Sequence, residues 1–306
     1  MLDNPGKPLV SVRDLKMHFP IYSGLLRRRV GEVKAVDGLT FDVMEGETLG
    51  LVGESGCGKS TAGRAVLRLY DITGGQIAID GREIGDTPQS QLREMRPTMQ
   101  MVFQDPYTAL NPRLTVLHAL VEPLLYHQPQ LKRQNAIDQA MAQLLAVGSD
   151  AALAQRCPHQ LSGGQRQRIN IARALMVQPE FIVADEPLSA LDVSIQAQIL
   201  NLLAELQHQQ QLTYLIFSHN LAAVEHMADR VAVMYRGVIV ETGDVAQILG
   251  APKHEYTRSL IAAVPRADTK LERFTSVDYI EGTTNNFKRI DIQNHWLGET
   301  LSPILI

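Results

Sequence analysis

Two cysteines, a single tryptophan, and no long run of apolar residues are what this chain has little of, and each scarcity removes a class of protein. The two cysteines cannot build a disulfide framework. Both lie in segments of functional character, Cys57 within a glycine-rich turn and Cys157 shortly before a glycine pair, so a reduced, cytosolic setting is expected. No stretch reaches the ~18 consecutive apolar residues of a spanning helix, and runs such as Val231 to Tyr235 have the length of buried strands. Asp3, Lys7, Arg13, Asp14 and Lys16 interrupt the region where a secretion signal would need an apolar core. Positive charge is not in excess either: 29 Lys and Arg against 33 Asp and Glu leave a net charge of −4, which gives no electrostatic reason to expect nucleic acid as a partner. Hydrophobic content of 45% over 306 residues is ample for a buried core.

What is present centres on Gly53-Glu54-Ser55-Gly56-Cys57-Gly58-Lys59-Ser60-Thr61, which follows the apolar run Leu49 to Val52 and precedes a helical pattern. A strand that ends in glycines lets the backbone turn tightly and aim successive N–H groups at an anion, and the following helix adds the positive end of its dipole. In such a cradle Lys59 reaches the β- and γ-phosphates of a nucleoside triphosphate and the Ser60 hydroxyl ligands Mg²⁺.

Residues 9–19 and 33–43 alternate as strands of a half-buried antiparallel sheet, with Gly24 to Arg29 as a loop or hairpin tip. Phe19 is the aromatic expected against an adenine ring, with Tyr22 as a competing candidate. Ala62 to Tyr70 reads as a helix, and Gln76 to Asp80 and Met99 to Phe103 as strands. The latter ends at Gln104, which can ligand Mg²⁺, hold a water or merely cap a loop. From Val116 to Leu153 the pattern is helical, with Pro123 and Pro129 as breaks and Ile137, Met141, Leu144 and Leu145 on one face.

Leu161-Ser162-Gly163-Gly164-Gln165 then precedes a helix expected over Arg166 to Leu175, a second anion site made of backbone N–H groups and a dipole. The strand Phe181 to Asp185 ends in adjacent carboxylates. Alternation along the strand is expected to point Asp185 toward Mg²⁺, through water, and Glu186 toward the attacking nucleophile. Ser189 to Asp192 makes a tight turn before an amphipathic helix at Gln196 to Gln211, with Ile199, Leu202, Leu203 and Leu206 inward. The strand Thr213 to Phe217 delivers His219, placed to contact the γ-phosphate and orient Glu186. A helix at Asn220 to Asp229 and a hairpin at 230–240 follow.

Taken together, these segments resemble the ATP-binding cassette family: Gly53 to Thr61 is similar to the Walker A motif, Gln104 to the Q-loop, Leu161 to Gln165 to the signature motif, Phe181 to Glu186 to the Walker B motif, Ser189 to Asp192 to the D-loop, and His219 to the switch histidine. The resemblance implies an α/β P-loop NTPase (RecA-like) core carrying an antiparallel β subdomain and an inserted α-helical subdomain at about 105–165. It places the ATPase domain at 1–245 and a C-terminal extension at 246–306. It further implies a head-to-tail dimer in which Ser162, Gly163, Gly164 and Gln165 of one cassette, with Asp192 nearby, close over the ATP held by Lys59 of the other. The cofactors implied are ATP and Mg²⁺.

Within the family, Phe103 to Tyr107, Leu110 to Arg113, Ser162 to Ile169, Pro187 to Ser194 and His254 to Leu260 look like the dipeptide and oligopeptide importer ATPases, and Gln165-Arg166-Gln167 like the second of their two ATPase subunits. That implies a homologous second ATPase subunit, two membrane-spanning permeases, an external solute-binding protein acting indirectly, and a peripheral place on the cytoplasmic face of the membrane. Many such importers carry a cysteine-rich tail that holds an iron–sulfur cluster. No cysteine follows Cys157, so none is expected here. Asn220 stands where the family usually has aspartate. The alternative is a soluble cassette ATPase acting on nucleic acid or the ribosome, but such proteins usually carry two cassettes or long coiled coils, and sustained heptads are absent.

Overall fold

The computed structural model describes residues 7–24, 28–189 and 191–263. Strands β1 (Pro8–Ser23) and β2 (Arg28–Met44) form a long antiparallel hairpin, extended by β4 (Gly74–Ile79) and β5 (Arg82–Glu83) into a sheet of order β2-β1-β4-β5. The hairpin is longer than its sequence predicts. Arg28 and Arg29, expected in the tip, already pair with Ser23 and Tyr22.

The second sheet has the order β10 (Val238–Asp244), β9 (Arg230–Tyr235), β3 (Thr48–Val52), β8 (Thr213–Ser218), β7 (Phe181–Asp185) and β6 (Met99–Val102). All its pairings are parallel except that of β10 with β9. A parallel sheet is covered on both faces, so its strands are apolar throughout rather than alternating with polar residues. Phe181, Val183, Leu215 and Phe217 face α1 (Lys59–Val66) and the antiparallel sheet, whereas Ile182, Ala184, Tyr214 and Ile216 face α6 (Gly163–Leu175) and α7 (Val193–Gln210). The inward residues expected of α7, Ile199, Leu202, Leu203 and Leu206, are all buried.

The remaining helices are α2 (Gln89–Met95), α3 (Pro106–Ala109), α4 (Val116–His127), α5 (Arg133–Ala146), α8 (Leu221–Met227), α9 (Val245–Gly250) and α10 (Glu255–Ala262). Four sequence expectations are corrected. Pro123 does not break the chain but lies inside α4; the hydrogen bond its missing N–H forfeits is offset by the complete burial of Leu120 and Leu124 on either side. Of the face expected on α5, Leu144 is buried and Ile137 and Met141 pack partly buried on the core, but Leu145 is 59% exposed and the buried Ala136 and Ala140 complete the face instead. Helix α1 ends at Val66 rather than Tyr70 because Arg68 turns into a left-handed conformation, where its guanidinium donates to the carbonyls of Ile84 and Tyr70. Helix α6 begins at Gly163, three residues before the expected start. The Ser162 hydroxyl accepts from the Gln165 N–H at 3.3 Å and the Gln165 side chain accepts from the Ser162 N–H at 3.0 Å, a capping box that draws both glycines into the first turn. Of the C-terminal extension expected at 246–306, residues 264–306 lie outside the described residues.

Leu203 has no exposed surface and sits in the cluster that joins α7 to the sheet. Leu203→Ala is expected to lower unfolding free energy by about 2–5 kcal/mol, the range for buried leucines. Denaturant titration followed by circular dichroism measures it, and a loss below about 1 kcal/mol is outside that range.

Candidate active site

The β3–α1 turn is shaped by positions where no side chain fits. A Cβ on Gly53 would stand 2.2 Å from the Met234 carbonyl oxygen, and one on Gly58, at φ +110°, would stand 2.1 Å from the Ala35 carbonyl oxygen. Residues Ser55 to Thr61 wrap the floor of a cavity of about 320 Å³, closed on one side by Val33, Lys34 and Ala35, on another by Gln104 and Glu186, and at the rim by Arg236 and Gly237.

Inside it Lys59 is 4% exposed, and its Nζ donates to the carbonyls of Gly53 at 2.7 Å and Glu54 at 2.9 Å. A buried ammonium on two neutral carbonyls is poorly neutralised, a state that an anionic phosphate relieves. The nearest carboxylate oxygen is Oε1 of Glu186 at 3.8 Å. The Cys57 thiol lies beside it, its pKa raised by burial against the opposing pull of the Lys59 charge, so it remains a protonated packing group.

The two carboxylates have separate surroundings, but not for the reason alternation predicts. Strand β7 ends at Asp185, and Glu186 has φ +43°, so a left-handed residue rather than the pleat turns the second carboxylate away. That conformation costs about 1–3 kcal/mol and is held by the Glu186 N–H donating to the Phe217 carbonyl and by both the N–H and hydroxyl of Ser189 donating to the Glu186 carbonyl. Asp185 continues the face of Phe181 and Val183 and accepts from the Ser60 hydroxyl at 2.7 Å. Its other oxygen is buried without a hydrogen bond, Arg64 being 4.0 Å away. Burial holds the Asp185 carboxyl above the usual range, against the bond from Ser60 and the charge of Arg64. A buried carboxylate joined to a serine, with one oxygen free of hydrogen bonds, fits the hydration shell of a divalent cation.

Glu186 collects the residues expected around the nucleophile. Gln104 Nε2 donates to Oε2 at 2.9 Å, and His219 Nδ1 lies 3.3 Å from the same oxygen. Glu186 also lines a smaller cavity of about 60 Å³ between Pro187–Ser189 and Ser218–Asn220.

Other expected site residues stand apart. Phe19 is 37% exposed and meets Tyr70 edge-on at 6.0 Å; its strand partner Val33 lines the cavity, but neither Phe19 nor Tyr22 does. Ser162 to Gln165 and Asp192 cap α6 and α7 away from the cavity wall. Lys34 and Arg236 line the cavity without having been anticipated. The Tyr235–Gly237 hairpin is legible, but its placement is set by the Gly237 N–H donating to the Cys57 carbonyl and the Gly237 carbonyl accepting from Asp37, contacts no local pattern encodes.

A parallel sheet whose central strand turns through glycines onto a lysine, with serine and aspartate meeting beneath it, defines a P-loop nucleotide-binding protein. The model of the family described as "ABC transporter" matches residues 36–189, and the chain belongs to that family. A second model, "Oligopeptide/dipeptide transporter, C-terminal region", matches residues 240–291. The chain is 51% identical over 271 residues to the oligopeptide transport ATP-binding protein AppF of Bacillus subtilis (strain 168), covering 87% of this chain and 82% of that one. It is 47% identical over 278 residues to the oligopeptide transport ATP-binding protein OppF of Salmonella typhimurium (strain LT2), covering 90% and 83%. To the glutathione import ATP-binding protein GsiA of Pectobacterium atrosepticum it is 50% identical over 263 residues, 86% of this chain and 42% of that longer one. Among solved structures, the dimeric post-hydrolysis state of the ATP-binding cassette MJ0796 bound to ADP and Pi superposes with a TM-score of 0.69 at 27% identity, covering 77% of this chain and 98% of that one.

The raised Asp185 carboxyl gives a stability prediction. The unfolded chain titrates this group in its ordinary range, so above that range ionisation costs the folded, nucleotide-free state more than the unfolded one. Asp185→Asn is expected to raise the melting temperature at neutral pH and to lose that advantage in acid, where both states hold a neutral carboxyl. Scanning calorimetry from pH 8 down to about pH 2.5, below the ordinary carboxylate range, measures it, and a variant less stable than native at every pH contradicts the assignment.

Proposed function

We propose that this chain is the ATP-hydrolysing subunit that energises import of oligopeptides or related small solutes. The observation that carries the chemistry is Glu186, fixed by Gln104 and His219 within 3.8 Å of the Lys59 ammonium. The relatives' names and the C-terminal family model support the solute class. Gly53 to Thr61 cradles the ATP phosphates with backbone N–H groups, and Lys59 exchanges its carbonyl partners for phosphate oxygens, neutralising charge on the γ-phosphoryl group. Glu186 takes a proton from the attacking water while a bond forms from that oxygen to the γ-phosphorus, and the bond to the β–γ bridging oxygen breaks to release ADP. His219 and Gln104 keep the carboxylate aimed, which matters because misplacement is costly in rate. Ser60, Asp185 and Gln104 would hold Mg²⁺, Asp185 through water, and the ion supplies charge neutralisation at the phosphates.

Ser162, Gly163, Gly164 and Gln165, with Asp192, serve a nucleotide bound across the dimer interface, and the dimeric arrangement of the structural neighbour supports this. The second ATPase is a similar, non-identical chain or a second copy. The pair works at the cytoplasmic face of the membrane on two permeases supplied by an external solute-binding protein. Phe19 or Tyr22 stacks on adenine from the hairpin beside Val33. In this reading 1–245 is the cassette, with its helical subdomain at about 105–165, and 246–306 the importer-type extension. A soluble role on nucleic acid is not favoured, since the matched relatives are named for transport and import.

Glu186→Gln is expected to lower ATP turnover by about 10²–10⁴-fold while ATP-bound dimers accumulate; phosphate release and size exclusion with ATP test it, and native turnover in this variant rejects the mechanism. Lys59→Ala is expected to weaken nucleotide binding itself, read by calorimetry, and undiminished affinity would remove Lys59 from the phosphate site.

A further inference from the structure

One side chain of the segment that follows the second sheet reaches the nucleotide cradle. The phenolic oxygen of Tyr256, on α10, accepts a hydrogen bond from the backbone N–H of Glu54 at 3.0 Å. The same peptide unit turns its other end, the Gly53 carbonyl, to Lys59 Nζ at 2.7 Å. The Gly53–Glu54 peptide plane is therefore gripped at both ends, its oxygen by the lysine that faces phosphate and its N–H by a tyrosine 202 residues further on.

Tyr256 is itself aimed from two directions. Its ring packs on Tyr235 with centroids 4.3 Å apart and planes inclined by 37°, at the strand end from which Arg236 and Gly237 reach the cavity. The start of its helix is fixed by the Glu241 carboxylate, which accepts from the N–H groups of Lys253 at 2.7 Å and His254 at 2.9 Å, and by His254 Nδ1, which accepts from the Tyr256 N–H at 3.1 Å. Thr257, next along, is buried with 1% exposure, and Tyr256, Leu260 and Ile261 pack on the core cluster that holds Val52 and Val233.

Residue 53 is a glycine, and glycine resists rotation of the adjoining peptide less than any other residue. Rotation would carry the Gly53 carbonyl away from Lys59 and leave the ammonium one carbonyl acceptor, that of Glu54. We infer that Tyr256 is a positioning residue for the nucleotide cradle, holding the Gly53–Glu54 peptide so that Lys59 stays set to meet the phosphates. The C-terminal region thus takes part in setting nucleotide affinity. This inference rests on the nucleotide reading of the cradle.

Tyr256→Phe removes the acceptor oxygen and keeps the ring on Tyr235. In the purified full-length chain it is expected to weaken ATP binding about fivefold, the worth of one hydrogen bond, and to speed hydrogen–deuterium exchange of the peptide spanning residues 53–57. A purely structural tyrosine would leave folded Y256F at native affinity and shift only its melting temperature. Native-like affinity or native-like exchange in Y256F overturns the inference. Should Y256F fail to fold, Glu241→Gln, which loosens the Lys253–His254 turn without touching either tyrosine, is put to the same two measurements with the same two outcomes. If the native chain binds no ATP, the nucleotide reading itself fails; if native and variant bind ATP equally, only the role of Tyr256 does.

Discussion

The carbonyls of Met234 and Ala35 press against the cradle where Gly53 and Gly58 lack side chains, and this close approach of backbone to backbone organises everything around it. Because the turn can sit under β9 and against β2, it is walled by both sheets at once. The Gly237 N–H donating to the Cys57 carbonyl closes the third side. A methyl group at either glycine would push against backbone rather than a yielding side chain, and no local adjustment relieves that. The cavity, the burial of Lys59 and the reach of Tyr256 to Glu54 all follow from how tightly this loop is held.

Charge in the site is arranged in two tiers. Asp185 lies deep, joined to Ser60, with its second oxygen unpaired by any hydrogen bond; the cost of that burial is borne by the large apolar clusters on both faces of the sheet. Glu186 lies shallower and is surrounded by groups from three other elements: Gln104 after β6, His219 after β8 and Lys59 on α1. Each sits at the carboxyl end of a parallel strand or the helix start beside it, the place where open α/β sheets gather their ligands. Gln104 leads directly into α3, and α6 holds that connection at both ends, its Asn170 donating to the Phe103 carbonyl and its Arg173 to that of Ala109.

Reading along the chain recovered the strands, the cradle and the carboxylates, because each depends on residues close in sequence, in apolar runs and glycine spacing. It failed where a distant contact decided the outcome. Pro123 stays within α4 because Leu120 and Leu124 are buried there, Leu145 faces out because Ala136, Ala140 and Leu144 fit the neighbouring helices more closely, and Arg68 ends α1 because carbonyls at Tyr70 and Ile84 capture it. Glu186 is the instructive case: its divergence from Asp185 was expected from strand alternation and arises instead from a positive φ stabilised by Phe217 and Ser189.

By itself the sequence determined the glycine-rich cradle and the six segments that resemble those of an ATP-binding cassette, since such motifs are written in contiguous residues whose chemistry is local. Only the tertiary structure decided which side chains share the cavity: Lys34 and Arg236 within it, Gln104 and His219 converging on one oxygen of Glu186, and Tyr256 reaching the loop from the C-terminal region. Those meetings depend on strand order and close backbone approach, which join residues far apart in the chain and leave no periodic trace in it.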